Sequence, residues 1–214
     1  MSDECTLAFF VTSSACYAAI QTDTHIIQDR LILGQESQSA VLIPFIQRLW
    51  QQIDCPAFTK ICAPKGPGSF TSVRVTLAAA QGFSIAFPKA KCFAPTLFDI
   101  LLFNAPETCY AVIDSKRGDF FVKTTNGEPL ILSHTAFMLF QKEHEEWIIR
   151  LDPDLLENEV MRSVHIDPSF QPDDVLKALL SAQTYMDPQH EPTIFHPYYL
   201  FDPVFKKTKE SNLI

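Results

Sequence analysis

Glycine is scarce in this chain. There are six in 214 residues, and after Gly82 only Gly118 and Gly127 remain. The second half therefore lacks the paired glycines with which phosphate and adenosine loops wrap a nucleotide. Positive charge is short as well: 17 Lys and Arg against 25 Asp and Glu give a net charge of -8. The single basic run, Lys206, Lys207 and Lys209, reads as a solvated tail. Phosphate contacts need clustered Lys and Arg, so the chain alone is not expected to hold nucleic acid. No apolar run is long enough to span a bilayer, so no membrane partner is expected. The opening MSDEC is acidic, unlike a signal peptide. The expected location is the cytoplasm. The six cysteines include no CxxC pair, which excludes a zinc knuckle or dithiol motif. Cys16, Cys62 and Cys109 fall in apolar runs and read as small core residues. No histidine pair has helical metal spacing, so no metal or cofactor is expected.

What is present is globular. Apolar residues make up 47% and charged residues 20%, enough to build a core in one large domain or two small ones. The most informative stretch is GPGSFTSVRVTLAAAQGF, Gly66 to Phe83. Gly66, Pro67 and Gly68 force a sharp turn, and Ser69 or Thr71 can cap the helix that follows. That helix, about Phe70 to Phe87, carries one charge, Arg74. Val73, Leu77 and Ala80 share one side; Val75, Ala79 and Phe83 share another. Ala78, Gly82 and Ala86 recur at four-residue spacing, a ridge over which another backbone can come close. A helix apolar almost all round is buried on more than one side, so part of it is expected to meet the chain's own sheet and part a second protein.

Strands are predicted at Thr6–Val11, Cys16–Ile20, Ile26–Leu33, Thr59–Ala63 and Lys91–Ala94, with helices at Ser39–Gln52 and Thr96–Phe103. Pro44 is tolerable if it lies in the first turn of its helix. The order β-β-β-α-β-α-β-α is an α/β pattern. A second half opens alike, with strands at Tyr110–Ile113 and Asp119–Thr124 and an Asn126-Gly127 hairpin turn before Leu130–Leu132. Proline and acidic residues between Asp152 and Asp174 predict short elements and long loops.

The segment GPGSFTSVRV resembles the GPGSFTGLRIG signature of TsaB, an accessory subunit of the bacterial machinery that makes threonylcarbamoyladenosine in tRNA. AVIDSKRGDFF (Ala111–Phe121) is similar to that family's second-lobe opening, and PYYLFDPVFKK (Pro197–Lys207) to its ending. The resemblance implies an actin-like ATPase fold of two related α/β lobes, here 1–108 and a smaller 109–214 with a degenerate second copy. It implies a partner, a TsaD-like protein, with a TsaE-like ATPase in a larger complex, tRNA reached only through that complex, and a homodimer when isolated. The helices after Glu36–Pro44 and after the glycine turn would dock the partner. Phe45, Leu49, Arg74, Leu77, Ala78, Gly82, Phe83 and Ala86 are the expected interface.

Four positions depart from the family: Phe10 for Asp, Gln38 for His, Ser72 for Gly and Phe201 for Arg. Phe10 cannot orient a metal, so no ATPase chemistry and no catalytic residues are expected. Asp114 suits a hairpin turn as readily as a site. The Gly66–Ser69 turn is not a Walker A loop, since Lys65 precedes it. Nor is it a nucleophile elbow, since GPGSF is not G-x-S-x-G. Two other readings stay open: a stand-alone, peptidase-like enzyme, and a homodimeric binding module unrelated to tRNA.

Overall fold

Thr6–Val11 (β1) is buried at every position, which only a central strand covered on both faces can be. In the computed structural model, which describes residues 4–155, 161, 165–187 and 195–200, β1 is indeed the third of five strands. The strands Ala15–Gln21 (β2) and Ile26–Ile32 (β3) follow it antiparallel, while Lys60–Cys62 (β4) and Lys91–Phe93 (β5) extend the sheet in parallel, in the order β3-β2-β1-β4-β5. The helices Gln38–Trp50 (α1) and Phe70–Ala86 (α2) make the crossovers. Leu97–Leu101 (α3) is capped reciprocally by Thr96 and Asp99. Side chains alternate across β1. Leu7, Phe9 and Val11 join α1 and α2 in one core, while Ala8 and Phe10 face the opposite layer.

The second sheet follows the same plan with less material. Cys109–Asp114 (β6), Asp119–Thr124 (β7), Leu130–Ser133 (β8) and Ile148–Leu151 (β9) lie in the order β8-β7-β6-β9. As with β1 and β4, the first strand pairs its successor antiparallel and the strand after the helix in parallel. Where a fifth strand would lie, there is one parallel bridge, Ile149 to Ile166. The helix His134–Glu143 (α4) was not legible in the sequence; Ser133 caps it through Ala136 N–H at 3.3 Å. The helices Pro172–Leu180 (α5) and Ala182–Tyr185 (α6) follow. Val175, Leu176 and Leu179 of α5 pack with Phe10 and Tyr17 of the first sheet and Ala111, Ile113 and Phe121 of the second. This shared core joins the two lobes.

One expectation is corrected. Pro44 is the seventh residue of α1, well past its first turn, and its missing N–H leaves the Ala40 carbonyl without its helical partner. Asn126-Gly127 lies in the hairpin connection between β7 and β8, residues 125–129, as expected. Gly127 is needed for room: a Cβ there would stand 2.3 Å from Thr124 Oγ1. The pairing of Cys5 with Cys55 carried no sequence signal. They form a disulfide, because the start of β1 and the loop after α1 bring their Cα atoms to 6.3 Å. Cys16, Cys62, Cys92 and Cys109 are free and buried. Among the described residues, no helix is long and apolar enough to cross a membrane. Phe201, most of the PYYLFDPVFKK match and the Lys206–Lys209 run lie outside the described residues.

Candidate functional site

The glycine turn is built into the interior. Gly66 has φ +96°, a conformation glycine takes without penalty, and the Gly66–Pro67 peptide is cis. The Leu97 N–H donates to the Gly66 carbonyl at 2.7 Å, and the Tyr198 N–H to the Lys65 carbonyl at 2.7 Å. A side chain at Gly66 would meet the Tyr198 carbonyl at 3.1 Å. Pro67 and Gly68 line the groove beyond. Ser69 occupies the N-cap position of α2 without making a side-chain cap bond, which corrects the expectation of a capping hydroxyl. Among the described residues no histidine hydrogen-bonds Ser69.

From this turn α2 runs with one face in and one face out. Val73, Thr76, Leu77, Ala80 and Ser84 are buried on β1 and β4. Ala78, Gly82 and Ala86 are exposed, and Ile85 beside them is 71% exposed. A Cβ added at Gly82 meets nothing within 4 Å. Arg74 lies over the Phe70 ring at 3.9 Å and donates to Tyr199 Oη at 3.3 Å. Phe83 is half-buried against Phe9 and Phe58. Three of the expected interface residues are corrected. Phe45, Leu49 and Leu77 are 3%, 2% and 3% exposed and fill the chain's own core, because the apolar stripes of α1 and α2 pack on the sheet. They cannot touch a partner directly.

Two of the departures from the TsaB pattern meet. Gln38 Nε2 donates to Ser72 Oγ at 3.1 Å and to the Thr12 carbonyl at 2.9 Å. The amide of α1 thus ties the start of α2 to the end of β1. A third departure, Phe10, is 3% exposed and stacks on Tyr17, with centroids 4.5 Å apart. The ring of Phe10 lines the cleft between the lobes.

The cleft floor is polar nonetheless. After β1 the chain turns through Thr12, Ser13 and Ser14. Asp154, which follows β9, crosses to that turn: its Oδ2 accepts from Ser13 N at 2.8 Å and Ser13 Oγ at 2.6 Å. Its Oδ1 accepts from Ser14 N at 3.2 Å and Ser14 Oγ at 2.6 Å. Burial opposes its charge, but the Ser13 and Ser14 hydrogen bonds prevail and hold the carboxyl below the usual range. Asp152 beside it is pushed up to about 7, first by burial and then by the Asp154 charge. Lys116 Nζ lies 3.1 Å from Asp114 and 3.6 Å from Asp154. Asp114 also accepts from the Lys116 N–H at 2.6 Å, so it serves the β6–β7 turn.

Asp154 carried no local sequence signal, because its partners are about 140 residues away. Arg150 was missed for the same reason. Its guanidinium is buried, pairs with Asp167 at 2.9 Å and donates to the Leu101 and Phe103 carbonyls at 3.0 and 2.8 Å. It joins β9 to the end of α3.

Two lobes with matching strand order, meeting over a shared core and a polar cleft, define an α/β protein of the actin-like ATPase fold. Among solved structures the chain is similar to YeaZ from Pseudomonas aeruginosa, with a TM-score of 0.64 and 17% identity, over 92% of this chain and 100% of that one. It is similar also to an uncharacterized protein described as having similarity to the peptidase YeaZ from Pseudomonas aeruginosa, with a TM-score of 0.65 and 18% identity, over the same shares. No protein-family model and no curated protein matches the sequence. The fold is YeaZ-like.

Proposed function

We propose that this chain is a cytoplasmic, non-catalytic accessory subunit. In this reading it docks a TsaD-like protein through the outer face of α2 and supports threonylcarbamoyl transfer to the tRNA adenosine beside the anticodon. The observation that carries it is that bare face. Ala78, Gly82 and Ala86 leave a shallow backbone-lined ridge flanked by Ile85, which suits the close approach of another helix. The GPGSFTSVRV resemblance and the YeaZ-like fold support the same reading. Phe10 in place of the metal-orienting carboxylate supports the absence of ATP chemistry. Among the described residues no histidine reaches Ser69, which gives no support to a peptidase. The net charge of -8 agrees with tRNA contact through the partner alone, and a TsaE-like ATPase would join the larger complex.

The test is Gly82→Leu. The fold has room for the side chain, and the helix itself gains. Affinity for the TsaD-like partner, read by calorimetry, is expected to fall by roughly 1–3 kcal/mol, about tenfold or more, with the melting temperature unchanged or higher. Unaltered affinity would remove the α2 face from the interface.

A further inference from the structure

The second lobe carries a pocket at the end of its sheet away from the cleft. Tyr110 lies buried beneath it, four residues before Asp114 on β6 and so about 13 Å from the cleft. One wall is α4, whose Met138, Gln141 and Lys142 share a helical face. The other is the approach to β9, with His144 and Trp147. The pocket holds about 190 Å³, less than the roughly 300–1,000 Å³ that a drug-sized ligand needs, so it has room for one ring system. Its walls are largely rings. His144 stacks on Phe140 with centroids 4.1 Å apart and meets Trp147 edge to face at 4.7 Å. His144 Nδ1 lies 2.9 Å from the Phe140 carbonyl. A carbonyl only accepts, so Nδ1 carries the proton and, in the neutral ring, Nε2 is an acceptor. Gln141, three residues earlier, supplies the donor. Its Nε2 is buried beside the Tyr110 hydroxyl without completing a hydrogen bond, which is costly until an acceptor arrives. At the rim Lys142 and Glu145 are exposed and opposite in sign, so their charges select neither an anion nor a cation.

We propose that this pocket binds a small, neutral, planar heterocycle of the nucleobase class, its ring among His144, Trp147 and Met138 and its polar edge on Gln141 and His144. The ligand sets an acceptor against the Gln141 amide and a ring N–H against His144 Nε2. An acceptor beside a donor on one flat edge is what a base presents, and His and Trp rings are surfaces on which bases stack. A net charge of -8 and room for one ring system favour the free base over a polynucleotide, which needs clustered Lys and Arg.

The experiment titrates the full chain with adenine and with uracil, and with benzoate and choline as anionic and cationic probes. Binding is followed by ligand-observed NMR and by the indole N–H signal of Trp147. At least one base is expected to saturate at millimolar concentration or below, moving the Trp147 signal and not that of Trp50, the other tryptophan. Gln141→Leu keeps the bulk and removes the amide. It should weaken base binding about tenfold or more and leave the melting temperature unchanged or higher, because a buried unpaired donor is gone. Gly82→Leu, on the α2 face, should leave base binding as it was, so this proposal and the docking proposal fail separately. Bases that do not saturate, benzoate or choline binding as tightly as the bases, or a Gln141→Leu variant that binds as the parent does would overturn the proposal. So would a lower melting temperature for Gln141→Leu, which would show the amide already satisfied within the fold.

Discussion

The two lobes share a strand order but are held together by different means. The first is a complete five-stranded sheet with long helices, apolar strands and a disulfide from Cys5 to Cys55. Among the described residues the second has four strands, the Ile149–Ile166 bridge in place of a fifth, and a buried ion pair between Arg150 and Asp167. Each lobe has a buried core of its own, and polar contacts tie the second to the first. Arg150 reaches α3, Asp154 reaches the β1–β2 turn, and α5 seals the shared core. Phe10 and Asp154 both line the cleft between the lobes.

The sharpest test of that contrast is Arg150→Ala. It leaves Asp167 charged and buried and removes the guanidinium donor of the Leu101 and Phe103 carbonyls, so it should cost roughly 3–5 kcal/mol in urea unfolding, with Arg150→Lys recovering only part. Removing the first lobe's staple by Cys5→Ser with Cys55→Ser should cost about 2–4 kcal/mol, since the bridge closes a separation of 50 residues. Thiol titration of the unfolded parent checks that four free thiols, not six, are present. A cost as large as that of Arg150→Ala would erase that contrast.

Asp152→Asn comes next. The folded-state pKa of Asp152 is raised to about 7, above its unfolded value, so folding is favoured while it stays protonated and disfavoured as pH rises toward 7. The variant should gain on the parent by roughly 1–3 kcal/mol at pH 8, with the gain shrinking to nothing near pH 4. Asp154 and Asp167 are shifted the other way. Their stabilisation is present at neutral pH and lost as pH falls through the folded values, below about 4. The smallest effect should come from Gly82→Ala on the bare face of α2, a gain of up to about 1 kcal/mol, read as a higher melting temperature.

The first lobe was legible because its strands are continuous apolar runs, which leave few alternatives for TLAFFV or KIC. The α2 ridge was legible too, since one charge in a long helix is a strong pattern. That pattern says a residue is covered, not by what. Hence Phe45, Leu49 and Leu77 read as interface when their partners are β1 and β2. In the second lobe α4 and α5 mix apolar positions with Lys, Glu, Asp and Gln, and β9 is only four residues with an Arg among them, so periodicity faded. Arg150 and Asp154 were invisible in principle. Each acts through atoms that sequence places far away and only the closed lobes bring near.

Gln38 and Ser72 bear on how far this chain has travelled from its look-alikes. Each, counted alone, is a mark of divergence. Joined at 3.1 Å, they form one exchange: an amide and a hydroxyl introduced together where the TsaB pattern has an imidazole and a bare backbone. A tally of mismatches scores that exchange twice. In this chain the pair ties β1, α1 and α2 together.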